Sequence, residues 1–183
     1  MLKIGLTGNI ASGKSEAEKI ISKLGFKIID LDEISHKILE NDENAKSEIL
    51  KAFNTLDRKA LGKIIFSNKN KRKELENIIH PKLNNFIEQF FDENKDEKAV
   101  FVSGATIFEA GFDKTFDKII LIDAENETKI KRLMKRNNLS YDEALLRLNC
   151  QKNNKEKTEF VIENNSTLEN FEDKIKNLLQ KML

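Results

Sequence analysis

Cysteine occurs once in this sequence, at Cys150, which excludes an internal disulfide and a metal cage built of cysteines. Proline also occurs once, glycine seven times and tryptophan never, a composition that fits neither a fibrous nor a disordered chain. An excess of charge of one sign is missing as well: 32 basic residues face 31 acidic ones, leaving +1. So small a net charge supplies no global field to draw the chain to nucleic acid or to an anionic membrane, and neither partner is expected. No apolar run approaches the roughly 20 residues of a spanning helix. Met1 to Thr7 has neither the charged head nor the apolar length of a signal peptide, so the expected location is cytoplasmic.

What is present is a chain of 183 residues, 39% hydrophobic and 34% charged, long enough for one substantial core and short for two independent domains. Stretches such as "FSNKNKRKE" and "CQKNNKEKTEF" read as solvated surface. Short apolar runs alternate with helical patterns. "LKIGLT" (2–7) and "FKIID" (26–30) flank "SEAEKIISKL", which sets Ala17, Ile20, Ile21 and Leu24 at helical spacing. "AVFVS" (99–103) and "KIILID" (118–123) are two further strands, and "FVI" (160–162) is a short fifth. Continuous rather than alternating apolar runs suit strands covered on both faces, as in a parallel sheet. Helices are expected over 33–39, 46–53, 72–91, 125–136, 141–150 and 168–183.

Two segments exceed what simple crossovers require. The first, 33–94, lies between the second and third strands. Within it Leu75, Ile79, Leu83, Phe86 and Phe90 would share one helix side, and Pro81 is expected to kink or restart the helix at His80. The second, 125–151, is a helix pair with "RNNLS" at its tip, the kind of hairpin that acts as a mobile lid.

"GNIASGKS" supplies Gly8, Asn9, Ile10, Ala11, Ser12, Gly13, Lys14 and Ser15, and matches the phosphate-loop pattern GxxxxGK(S/T). A chance match in a chain of this length has odds below roughly 1%. The pattern follows an apolar strand and opens a helix, as it must if backbone N–H groups are to converge on a phosphate at the positive end of a helix dipole. Lys14 would reach the terminal phosphates and Ser15 would ligate magnesium, so ATP and Mg2+ are the expected cofactors.

Nucleotide binding leaves the chemistry open. A GTP switch would need a guanine-reading NKxD segment, and the nearest string, "NKNK" at 68–71, ends in lysine. A small-molecule kinase needs a carboxylate for the acceptor hydroxyl and arginines over the transferred phosphoryl group. "IIDLDEISHKI" puts Asp30 and Asp32 at the C-terminal end of the second strand, where ligands collect in an open α/β sheet, and "KIKRLMKRNN" sets Arg132 and Arg136 four apart on one helix face. Each also has an ordinary reading. Asp32 would cap a helix starting at Glu33, the arginines would be a solvated face, and His36 and His80 would be packing or surface residues.

"IGLTGNIASGKS", "IIDLDEISHKI", "IIHPKL", "IFEAGF", "RLNCQ" and "FVIENN", in that order and spacing, resemble the segments of the dephospho-CoA kinase family over nearly the whole chain. The phosphate loop is shared by many kinases, whereas the Asp-x-Asp motif with its following histidine, combined with an internal His-Pro, is much more specific. The resemblance implies a phosphate-loop kinase fold: three α/β/α layers, a parallel five-stranded sheet, a helical substrate-binding insertion and a helical lid. It implies a core of about 1–32, 95–124 and 152–183, an insertion of about 33–94 and a lid of about 125–151. The implied reaction is ATP-dependent phosphorylation of the ribose 3′-hydroxyl of dephospho-CoA, carried out by a monomer or weak homo-oligomer.

Residue by residue, the resemblance makes Asp32 the general base, Lys14 the phosphate-binding lysine, Ser15 the magnesium ligand, and Arg132 and Arg136 the arginines that meet ATP phosphates. The nucleotide loop extends from Gly8 to Glu16. Asp30, Asp32, His36, His80 and Pro81 fall at substrate-binding positions, and Arg147 and Gln151 where the lid closes on the core. The chain departs from the family pattern at Asn9 and Ala11, where glycine is usual, at Glu16, where a second hydroxyl is common, and at Ser103 to Thr106, in place of the usual Asp or Val and Pro-Leu-Leu. Two other readings stay open on the residues alone: a nucleoside, nucleotide or shikimate kinase on the same core, and a nucleotide-binding regulator without turnover.

Overall fold

Strand β1 (Leu2–Gly8) is followed by helix α1 (Lys14–Lys23) and strand β2 (Lys27–Asp30), the strand–helix–strand unit that the apolar spacing predicts. The structure is a computed structural model, and it describes residues 1–150 and 154–183. Strands β3 (Ala99–Ser103), β4 (Lys118–Asp123) and β5 (Phe160–Glu163) complete a five-stranded sheet in the order β2-β3-β1-β4-β5. β1 pairs in parallel with both β3 and β4, and β4 in parallel with β5. All five residues of β3 are buried, as expected of a strand covered on both faces.

The chain divides into two compact units, Met1–Ile29 with Asp96–Leu183, and Asp30–Lys95. In the first, Ala17, Ile20 and Ile21 of α1 and Phe171, Ile175 and Leu179 of helix α8 (Leu168–Met182) pack with Ile4, Leu6, Phe101, Ile120 and Ile122 of the sheet in one core cluster. Leu24 departs from the expected buried stripe, because it caps the end of α1 and turns to solvent. A second cluster joins helix α6 (Asn126–Asn137) to helix α7 (Tyr141–Asn149) through Ile130, Leu133, Ala144 and Leu148, and Ile10 and Ala11 of the phosphate loop pack against it. Ser140 and Glu143 form a capping box that starts α7. No helix among the described residues is long and apolar enough to cross a membrane.

The second unit is all helical: α2 (Leu31–Asn41), α3 (Glu43–Phe53), α4 (Arg58–Ser67) and α5 (Lys69–Glu93). Helices α2, α3 and α4 each pack on α5, a spine of 25 residues. Three sequence expectations are corrected here. Helix α2 begins at Leu31 rather than Glu33, and Asp30, not Asp32, is its cap, accepting from the Asp32 N–H at 2.9 Å. Pro81 neither ends nor restarts α5, which runs through it from Lys69 to Glu93, because the residues buried on both sides hold the segment helical against its proline. The buried stripe of α5 runs through Ile79, Leu83, Ile87 and Phe91, so Phe86 faces solvent instead of the core. Helix α4 escaped the reading because "RKALGKIIFS" is short and its charges obscure the apolar spacing.

Candidate active site

The C-terminal ends of the strands of the first unit place its candidate residues. β1 leads into the loop Gly8 to Ser15, which turns through a hydrogen bond from the Ser12 N–H to the Asn9 carbonyl (3.0 Å) and through Ala11 at φ 59° and Gly13 at φ 104°. Gly13 caps α1 without a side-chain hydrogen bond, so no side chain closes the first turn of the helix against an anion. The loop has no room for larger residues at its two glycines. A Cβ on Gly8 would lie 2.6 Å from Ser12 Oγ, and one on Gly13 would lie 2.1 Å from Asn164 Nδ2. Ser12 Oγ is buried with no hydrogen-bond partner among the described residues. A cradle so closely walled, with an unused hydroxyl inside it, fits a phosphate chain.

Two groups from outside the loop brace it. Arg132, from α6, donates through Nη1 to the carbonyls of Ala11 (3.2 Å) and Ser12 (3.3 Å) and through Nη2 to that of Asn164 (2.9 Å). Asn164, just past β5, donates from Nδ2 to the Ser12 carbonyl at 2.9 Å. Arg136, one turn on from Arg132, does not join it: it is exposed and donates from Nε to the Asn137 side chain at 3.1 Å. The i, i+4 spacing thus puts both arginines on one side of α6, but only the first is within reach of the loop. Burial lowers the pKa of the Arg132 guanidinium somewhat from its very high ordinary value. Asn164 was not singled out from the sequence, although "FVIENN" contains it, because a buried asparagine has no spacing signature.

Lys14 Nζ is held by Glu18 Oε1 at 2.6 Å and by Ser103 Oγ at 3.0 Å, and Ser103 also donates to Glu18. Ser15 is exposed, and Glu16 turns toward Lys19, whose Nζ lies 3.3 Å from its carboxylate. At the end of β4 the buried Asp123 takes Lys129 at 2.9 Å and Lys155 at 2.8 Å. Burial alone would raise the Asp123 carboxyl, but hydrogen bonds from Lys155 and Lys129 outweigh it and hold the group below the ordinary carboxylate value.

In the second unit, Asp32 sits exposed in the first turn of α2, two residues after its cap Asp30. His36 follows one turn later, and its Nε2 accepts from Arg58 Nη2 at 2.7 Å, which places the ring proton on Nδ1. His80 and Pro81 are neighbours in the middle of α5, His80 half-buried and Pro81 exposed. Burial pushes His80 below its ordinary value, and the nearby Glu76 carboxylate opposes that in part. Arg147 is exposed on α7, and Gln151 lies outside the described residues.

A family model described as "CoaE: Dephospho-CoA kinase" matches residues 2–170. Dephospho-CoA kinase of Listeria innocua is 36% identical over 98% of this chain and 96% of its own length, and that of Fusobacterium nucleatum is 37% identical over 94% of each. Among solved structures, a dephospho-CoA kinase from Campylobacter jejuni superposes with a TM-score of 0.70 at 36% identity, covering 98% of this chain and 96% of that one. A shikimate kinase from Bacteroides thetaiotaomicron, 16% identical over 99% of this chain and 98% of its own, shares the fold alone at a TM-score of 0.55. With its phosphate loop, parallel sheet and near full-length similarity to these relatives, the chain belongs to the dephospho-CoA kinase family.

Proposed function

We propose that this chain transfers the terminal phosphoryl group of ATP to the ribose 3′-hydroxyl of dephospho-CoA, giving coenzyme A in the last step of its synthesis. One observation carries the reading: a phosphate loop of the required shape, braced by Arg132 and Asn164, in a chain matched over residues 2–170 by the family model. The loop from Gly8 to Glu16 holds the phosphate chain through its backbone, and Lys14 brings its ammonium to the terminal phosphates. Asp32 orients or deprotonates the acceptor hydroxyl, from an exposed position in the first turn of α2. Asp30 fixes the start of α2 and so the placement of Asp32. His36, His80 and Pro81 are assigned to the dephospho-CoA side, on the helical segment 33–94. Residues 125–151 form the lid, bringing Arg132 and Arg136 to the phosphates and excluding water that would otherwise hydrolyse ATP.

Ser15 opens α1 beside Lys14 and is exposed, so its hydroxyl fits as a ligand for magnesium carried in with the nucleotide. When bound, that ion neutralises charge on the phosphate oxygens. The site works in the cytoplasm, on a monomer or weak homo-oligomer.

The experiment is ADP release from ATP in the presence of magnesium, with and without dephospho-CoA, the product being identified by mass and position of the added phosphate. Release that depends on dephospho-CoA, with one phosphate gained on the ribose, is expected; release only with other acceptors overturns the substrate assignment. Asp32→Asn should lower kcat by about 10²- to 10⁴-fold with nucleotide affinity retained. An unaltered kcat would remove Asp32 from the chemistry.

A further inference from the structure

Lys14 and Glu18 stand four apart on α1, so their side chains meet on one face, and Ser15 is one turn from Glu18 on the same helix. The Lys14–Glu18 pair is 2.6 Å long with side chains only 11% and 17% exposed, and Ser103, at the C-terminal end of β3 and fully buried, bonds both. This arrangement conflicts with the work assigned to Lys14. If the lysine moves to the phosphates of a nucleotide, Glu18 loses its cation while remaining largely shielded from water. A shielded carboxylate without a counter-charge is strongly unfavourable, which favours a second cation in the place of the ammonium. Magnesium in phosphate-loop enzymes takes the loop hydroxyl and a carboxylate carried on a neighbouring strand. Of the two strands beside β1, β3 ends in Ser103, which has no carboxylate to offer, and β4 ends in Asp123, whose carboxylate is taken by Lys129 and Lys155.

We propose that Glu18 is the carboxylate of the magnesium site in this chain, paired with Ser15, and that nucleotide binding exchanges one cation for another at Glu18: Lys14 leaves for the phosphates and Mg2+ replaces it. Ser103 keeps the carboxylate in place during the exchange, since its hydrogen bond to Glu18 does not depend on which cation is present. Before phosphates arrive, the arrangement holds the lysine against a carboxylate of its own helix. The inference rests on the nucleotide reading above and goes beyond it in assigning a carboxylate to the metal.

Calorimetric titration of ADP into the full chain, in excess Mg2+ and in EDTA, tests it without turnover. In the unaltered protein Mg2+ should tighten ADP binding. In Glu18→Gln about tenfold or more of that tightening should disappear, in the range seen when groups supporting a metal are removed, while ADP binding in EDTA should grow stronger because Lys14 is released. Glu18→Asp, which keeps the charge, should recover part of the Mg2+ effect, and the electron paramagnetic resonance signal of Mn2+ with ADP should change in Glu18→Gln. If Glu18→Gln keeps the full Mg2+ effect while Ser15→Ala loses it, the nucleotide reading stands and the assignment of Glu18 falls. If Glu18→Gln weakens ADP binding equally with and without Mg2+, Glu18 only shapes the helix and the proposal falls. Absence of ADP binding by the unaltered protein in both buffers would remove the nucleotide reading and the proposal together.

Discussion

Gly13 shows how little freedom the loop has at single residues. Its φ of 104° is open to glycine and strained for any other residue, and the space its Cβ would need is taken by Asn164 Nδ2 at 2.1 Å. Gly13→Ala should therefore displace Asn164 and abolish detectable nucleotide binding, which an ADP titration would reveal; near-normal affinity would mean that the loop does not need this contact. Asn164 is the complementary case. It is buried, and its amide is one of the donors to the Ser12 carbonyl. Asn164→Ala should cost about 1–2 kcal/mol, less than the full penalty of an orphaned carbonyl because Arg132 still donates to the same oxygen. That corresponds to a fall in Tm of roughly 2–8 °C for a domain of this size. Ala11 contributes differently: at φ 59° it stores about 1 kcal/mol of backbone strain that glycine would avoid, partly offset by packing against the α6–α7 cluster.

At the scale of elements, α5 is the clearest test. Pro81 cannot donate to the carbonyl of Asn77, and its ring crowds the preceding turn, yet the helix is continuous. Burial of Ile79 and Leu83 on either side, at 7% and 4% exposure, supplies more than the proline costs. Pro81→Ala should stabilise the protein by about 2 kcal/mol, raising Tm by several degrees in a thermal melt. A lower Tm would show that the proline ring makes a contact worth more than the missing hydrogen bond. Helix α6 teaches a related point: its spacing put Arg132 and Arg136 on one face correctly, but the height of each along the helix decides which one reaches the loop.

For the whole molecule, acid is the informative variable, because two shifted groups act in the same direction. His80 is held below its ordinary 6.5 by burial, so folding disfavours its charged form; the stability it permits is complete above pH 6.5 and is lost as pH falls through the depressed folded value. Asp123, held below 3.8 despite its burial by hydrogen bonds from Lys155 and Lys129, contributes stability that is present above pH 3.8 and lost below it. Thermal melts should show Tm falling below about pH 6.5 and again below about pH 3.8. His80→Gln should flatten the first decline and leave the second. A first decline unchanged in that variant would assign it to other groups.

The sequence by itself determined the parallel α/β sheet, the boundaries of its strands to within a residue, and the phosphate loop with Lys14 and Ser15, because each depends on local spacing: apolar runs for buried strands, and fixed glycines before a helix. The tertiary structure alone decided the capping of α2 by Asp30, the continuity of α5 through Pro81, the bracing of the loop by Asn164 and the storage of Lys14 on Glu18 and Ser103. These join residues up to 152 positions apart, or set burial against a local preference. No pattern along the chain encodes a distance of that kind, and local propensity yields wherever the buried area beside it is worth more.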